Sequence, residues 1–117
     1  MHFQKDIPMI QATASFKDNL QLLPSIEGLA RIDLVDANGA IVATIPNEAG
    51  KKGSLAVYQY LAQTFDSLDA QACDLGLALF AENTEDAKNR PGAHPNIDRL
   101  LEIVDGAGAL KIELTQA

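Results

Sequence analysis

Two parts of the chain contain the short apolar runs typical of β-strands. In residues 30–45, two such runs flank an Ala-Asn-Gly turn at 37–39, and Asn-Gly between apolar runs is a strong local signal for a β-hairpin. The second run, residues 40–45, is rich in β-branched residues and carries no charge. We therefore expect it to be the more buried strand of the hairpin.

The other part, residues 110–115, alternates strictly between apolar and polar positions. Because successive side chains of a strand point to opposite faces, this pattern predicts a half-exposed strand. Lys111 and Glu113 are expected to face water, while Leu114 and the other apolar residues of the run face the core.

Four segments repeat their apolar residues at helical spacing. The first begins at Ser15, whose hydroxyl is placed to accept a hydrogen bond from the third amide along, and Pro24 ends it. We expect Ser54 to cap a second helix in the same way. A third helix is predicted from about residue 68 to residue 89, and Asn96 is expected to cap a fourth.

The order of these elements predicts an α+β fold. A small antiparallel sheet, made of the hairpin at about 30–45 and the C-terminal strand at about 110–115, is expected to be packed by three to four helices. Residues 15–117 suffice for a single domain with its own core. Residues 1–14 show no period, and we expect an N-terminal arm that is either flexible or a short edge strand.

Charge and composition narrow the possible functions. The chain of 117 residues has a formal net charge of −7, which disfavours nucleic acid as a partner because phosphate backbones need clustered Lys and Arg. No stretch approaches the roughly 20 apolar residues of a membrane-spanning helix. With a single cysteine and no secretory signal in the first residues, the sequence predicts a cytoplasmic protein without contact to a membrane.

The sequence Gly50-Lys51-Lys52-Gly53-Ser54 is the most suggestive site. It places two cations and two permissive glycines before a predicted helix, where free amides favour an anion such as a phosphate or a carboxylate. It is not a P-loop, because Gly53 separates the lysines from the hydroxyl residue. The plainer interpretation is a glycine turn with a capping serine and solvated lysines.

His94 is the second candidate, since it lies in a loop and histidine titrates near neutral pH. It is either a general acid or base or a loop residue packed over the start of the next helix. Arg99, further along that helix, either orients a ligand or forms an ordinary salt bridge, and its spacing does not distinguish the two.

The sequence contains no motif typical of metal or cofactor binding. The spacings typical of metal ligands are missing, so we expect no metal site and no cofactor. Cys73 has no basic neighbour that would lower its pKa, and we expect a buried, unreactive thiol.

Four motifs within residues 32–101 resemble a family of small bacterial proteins catalogued as a domain of unknown function. They are D-x-x-G-x-x-x-x-x-I-P-N at 36–47, G-K-x-G-S-L-A-V-Y at 50–58, G-L-A-L-F-A-E at 76–82 and H-P-N-I-D-R-L at 94–100. The resemblance implies a compact cytosolic bacterial protein. It implies no activity, substrate, cofactor or catalytic residue.

Three functional hypotheses follow. The first is a non-catalytic binding or interaction module whose Gly50–Ser54 loop holds an anionic small molecule or an acidic protein. The second is a small enzyme acting on an anionic metabolite, with His94 as general acid or base, which requires His94 to approach that loop. The third is a structural subunit, such as a homodimer paired through residues 110–115.

Overall fold

The computed structural model describes residues 9–117, which contain five helices and three strands. In chain order they are α1 (Phe16–Leu22), β1 (Leu29–Val35), β2 (Ile41–Pro46), α2 (Lys52–Thr64), α3 (Ala70–Phe80), α4 (Glu82–Asn89), α5 (Pro95–Val104) and β3 (Lys111–Gln116). The predicted α+β class is confirmed. None of these helices is both long enough and apolar enough to cross a membrane.

The sheet is antiparallel with the order β2-β1-β3, as expected if the late strand closes the hairpin. Asp33 in β1 pairs with Thr44 in β2 on one side and with Glu113 in β3 on the other. β1 is therefore the central strand, and the two edges of the sheet are β2 and β3.

The prediction that residues 40–45 form the more buried strand is wrong. Ile32 and Leu34 of β1 are fully buried, whereas Ile41 and Val42 of β2 are 60% and 52% exposed. A central strand is covered on both sides by its neighbours, but an edge strand is open on one side whatever its composition. In β3, Leu114 at the other edge is also exposed, although Lys111 and Glu113 face water as predicted.

Helix α2 is the centre of the molecule. Its residues from Leu55 to Leu61 are all buried, so it is covered all round rather than along one stripe. It contacts helices α1 and α3 and all three strands of the sheet. Its buried polar side chains find partners: Gln59 Nε2 donates to the Ser25 carbonyl, and the hydroxyl of Tyr60 accepts from the amide of Ile10.

The predicted helix over residues 68–89 is two helices, because the chain breaks at Ala81. Ala81 has φ 54°, the only positive φ at a non-glycine residue in the described part of the chain. Phe80, the last residue before the break, stacks on Phe16, with ring centroids 5.4 Å apart. The hydroxyl of Thr84 donates to the Leu77 carbonyl across the break.

Residues 1–8 of the predicted N-terminal arm lie outside the described residues. Residues 9–14 form neither helix nor strand, and Ile10 and Ala12 pack against the core. The predicted helix start at Ser15 is confirmed, since its hydroxyl accepts from the amide of Asp18.

Candidate functional site

A cleft of about 630 Å³ lies where the first turns of α2 and α5 meet α1 and the end of α3. Its volume is within the range of metabolite-binding sites. The whole of the predicted Gly50–Ser54 segment lines it, and so does His94. The structure therefore brings together the two candidate sites that the sequence indicated separately.

The start of α2 differs from the prediction that Ser54 caps it. The helix begins at Lys52, Lys51 occupies the N-cap position, and no side chain caps the helix. Ser54 is instead the third helical residue. Consequently, the amides of Lys52, Gly53 and Ser54 have no acceptor among residues 9–117, and such free amides favour an anion.

The two glycines of this segment have different roles. Gly50 has φ 85°, a left-handed conformation that L-residues rarely adopt. Gly53 has ordinary helical geometry, but a Cβ atom built there would lie 2.9 Å from Cζ of Phe16. Gly53 thus lets the Phe16 ring lie directly against the first turn of α2.

Lys51 and Lys52 belong to the same segment, and both side chains are exposed to solvent. Lys52 Nζ donates to Asn47 Oδ1 at 2.8 Å. Neither lysine forms an ion pair with a carboxylate of residues 9–117. Both charges are therefore uncompensated next to the free amides of α2.

Arg99 joins the lining from the side of α5. Its Nη1 donates to Tyr58 Oη at 3.1 Å and to Asn96 Oδ1 at 2.9 Å, and its Cζ lies 5.9 Å from the centre of the Tyr58 ring. The Tyr58 hydroxyl donates in turn to the Asn96 carbonyl at 2.6 Å. Burial raises the pKa of Tyr58 to about 12, so this hydroxyl keeps its proton at neutral pH.

His94, rather than the predicted Asn96, is the N-cap residue of α5, and Pro95 occupies the first helical position. Proline suits that position because its missing amide would have no partner there. The half-buried ring of His94 has Nε2 2.7 Å from Asp86 Oδ2. The hydrogen bond from Arg90, and secondly that from His94, hold the pKa of Asp86 well below its usual range.

The charge of the cleft is opposite to that of the chain. The sequence has 16 acidic and 9 basic residues, yet no Asp or Glu is among the described residues that line the cleft. The lining does contain Lys51, Lys52 and Arg99, together with apolar surface from Phe16, Leu20, Phe80 and Ile97.

Cys73 lies outside the cleft and is fully buried, as predicted. Burial raises the pKa of its thiol to about 12. Within residues 9–117, no three His, Cys, Asp or Glu side chains converge in a way that could hold a metal ion.

The fold and the site define a small α+β domain with a cation-lined cleft at the meeting point of two helix starts. The chain belongs to the family described as "Uncharacterized protein conserved in bacteria (DUF2322)", whose model matches residues 16–114. The resemblance of the four sequence motifs is thereby confirmed.

One similar protein is the "Uncharacterized 81.3 kDa protein" of Acholeplasma phage L2. It is 27% identical to this chain over 110 residues, which cover 86% of this chain and 15% of the phage protein. The chain thus spans much less than two thirds of that relative's length. No solved structure matches the chain significantly.

Proposed function

We propose that this domain is a binding module that holds a small anionic molecule in the cleft between the first turns of α2 and α5. The observation that carries the proposal is the charge of the described lining, which has three cations and no carboxylate in a chain of net charge −7. A cleft that keeps them unpaired favours a negatively charged ligand.

The shape and composition of the cleft support a ligand the size of a metabolite. A volume of about 630 Å³ is suited to a small molecule, and the apolar side chains of Phe16, Leu20 and Ile97 offer surface for its uncharged part. The free amides at the start of α2 add hydrogen-bond donors for an oxyanion.

The phage relative supports the idea of a module. A segment similar to this chain makes up 15% of a protein of 81.3 kDa, so a domain of this kind also occurs as one part of a larger chain.

The experiment is an NMR titration of ¹⁵N-labelled protein with inorganic phosphate, acetate, butyrate and succinate. We expect saturable shifts of the amides of Lys52–Ser54 and of residues 94–99 with at least one of them. Alanine at both Lys51 and Lys52 should weaken that binding about tenfold, since two charges near the ligand are lost. Absence of saturable shifts with all four anions would overturn the proposal.

A matched control separates the local charges from the net charge. Lys17 in α1 and Lys111 in β3 are both exposed and do not line the cleft. The Lys17→Ala, Lys111→Ala double variant changes the net charge by the same amount and should bind as the unaltered protein does. Equal weakening in the two double variants would show that only the overall charge matters.

A second candidate function is catalysis on the bound anion, favoured by the pairing of His94 with Asp86. A carboxylate that holds one ring nitrogen fixes the orientation of the imidazole and leaves Nδ1 for a substrate. If this is correct, a bound carboxylate should exchange its α-hydrogens for deuterium in D2O faster than the free anion does, as followed by loss of the ¹H signal, and His94→Gln should stop this exchange. Absence of faster exchange in every bound carboxylate would exclude this catalysis on the anions tested.

A further inference from the structure

One edge of the Arg99 guanidinium has no hydrogen-bond partner among residues 9–117, and its chemistry indicates the class of ligand. Both hydrogens of Nη1 are engaged, one by the Tyr58 hydroxyl and one by Asn96 Oδ1. Nε and Nη2 have no acceptor among residues 9–117, and Arg99 forms no ion pair there. Their parallel N–H bonds make the fork that binds a carboxylate with two hydrogen bonds.

This fork is held in place from the core. Tyr58 is fully buried, and its hydroxyl is fixed by the Asn96 carbonyl at 2.6 Å. A guanidinium tied to such a hydroxyl loses little further freedom when an anion binds. Lys51 and Lys52, by contrast, are exposed side chains that act as point charges, and neither is tied to the core, since Lys52 donates only to the Asn47 side chain.

The cleft therefore has two cationic regions with different properties, the fixed fork of Arg99 on α5 and the lysine pair before α2. A ligand with one anionic group that occupies one region leaves the other region's charge uncompensated. Apolar residues contribute to the same lining, including Leu20 and Phe80. Two charged regions and an apolar surface match a molecule with an anionic group at each end and a short hydrocarbon part.

We infer that the cleft binds a small dicarboxylate, one carboxylate on the Nε–Nη2 edge of Arg99 and the other at Lys51 and Lys52. This inference rests on the proposed function, because it names the ligand class of the same cleft. It also assigns to Arg99 a role in specificity that the sequence left open.

The test compares dicarboxylates with monocarboxylates of equal carbon number by NMR titration. The pairs are malonate with propionate, succinate with butyrate, glutarate with valerate, and adipate with caproate. We expect one dicarboxylate to bind about tenfold or more tightly than its partner, because it engages both cationic regions. That dicarboxylate should shift the Nε–H signal of Arg99 and the amides of Lys52 and Gly53 together.

Two variants examine the role of Arg99. Arg99→Lys keeps the charge and removes the fork, and Tyr58→Phe removes the hydroxyl that positions it. Each should reduce the preference for the dicarboxylate about fivefold or more, while monocarboxylate binding at the lysine pair stays. Arg31→Lys, on the sheet and outside the cleft, is the matched control, and the urea midpoint of each variant verifies folding.

The outcomes separate the inference from the proposed function. If monocarboxylates and dicarboxylates bind equally well, the cleft binds anions but the inference is wrong. If folded Arg99→Lys keeps the full dicarboxylate preference, Arg99 is not the anchor and the inference is overturned. If no carboxylate and no phosphate binds, the proposed function fails and the inference fails with it.

Discussion

At the scale of single residues, Asn19 is the most deeply buried polar side chain of the described part of the chain. Its Oδ1 accepts hydrogen bonds from the amide and the hydroxyl of Thr13, and its Nδ2 donates to the carbonyls of Thr13 and Leu79. All four hydrogen-bonding positions of the amide are used. Asn19 thus links the segment before α1 to the end of α3.

We expect Asn19→Asp to lower the free energy of unfolding by about 3 kcal/mol or more, because a carboxylate cannot donate to the two carbonyls and buries a charge. Urea denaturation followed by circular dichroism measures the change. Asn38→Asp, in the exposed hairpin turn, makes the same chemical change and should shift stability by less than about 0.5 kcal/mol. Equal effects at the two positions would contradict the assigned role.

Gly76 in α3 is the second residue for which the structure predicts a clear effect. A Cβ atom there would lie 2.9 Å from a methyl carbon of Leu100 and from one of Leu61, both fully buried. Gly76→Ala should therefore lower the free energy of unfolding by about 1–2 kcal/mol, because overpacking outweighs the gain in helix propensity. Gly108→Ala, where nothing lies within 4 Å, should leave the urea midpoint unchanged or slightly raised.

The candidate site could be found from sequence only as far as local signals reach. Gly50–Ser54 and His94 were indicated by glycines, charge and a loop position, and they do line one cleft. For Arg99 the sequence leaves a ligand-orienting role and an ordinary salt bridge equally open, because its partner Tyr58 is 41 residues away. The sequence pattern predicts a permissive turn glycine at Gly53, whereas its close contact with Phe16 explains why a glycine is needed there.

At the scale of elements, the helix starts decide what the cleft offers. Ser54 and Asn96 have the side chains that cap helices, so local chemistry favours them as N-caps. The helices begin earlier, at Lys52 and Pro95, and neither start has a side-chain cap. Sequence patterns locate these two helices correctly, but tertiary packing shifts their first residues by a turn or less.

The break between α3 and α4 is a second feature of this scale and gives a stability prediction. Ala81 with φ 54° and ψ −121° adopts a conformation suited to glycine. Ala81→Gly should raise the free energy of unfolding by about 1 kcal/mol, as measured by urea denaturation. Ala78→Gly, an exposed position within α3, should lower it by about 1 kcal/mol. A loss of stability in both variants would argue against strain at Ala81.

The sheet illustrates which part of a fold a pattern can predict. The hairpin and the closing strand were predicted from apolar runs and the Asn-Gly turn, and all three strands are observed. The pattern could not tell which strand lies in the centre, because burial depends on a partner strand far along the sequence. The uncharged run of β2 is therefore typical of a buried strand, but β2 lies at an edge of the sheet.

At the scale of the whole molecule, two buried groups control stability in alkaline solution. The pKa of Cys73 is raised from 9.0 to about 12, and that of Tyr58 from 10.0 to about 12. Above about pH 9 the unfolded chain begins to release these protons while the folded chain keeps them. Stability is therefore fully present below pH 9 and decreases as the pH rises towards 12.

We expect the free energy of unfolding in urea to fall steadily from about pH 9 to about pH 10.5. In Cys73→Ala the decline should begin nearer pH 10, because Tyr58 is then the one left of the two groups with a raised pKa, although the variant is less stable at every pH because a buried group is lost. A free energy that is constant over this range would contradict the burial of both groups. Identical pH profiles for the variant and the unaltered protein would contradict the contribution of Cys73.

The central position of β1 has a consequence for how fast the molecule folds. β1 meets β2 across a connection of five residues, but it meets β3 only after the chain has passed through four helices. Closing the longer loop costs about 2 kcal/mol more chain entropy than closing the hairpin. We therefore expect the hairpin to form early and the docking of β3 to limit the folding rate. Until β3 docks, the edge of β1 that later pairs with β3 has free backbone groups and can pair with a strand of another chain.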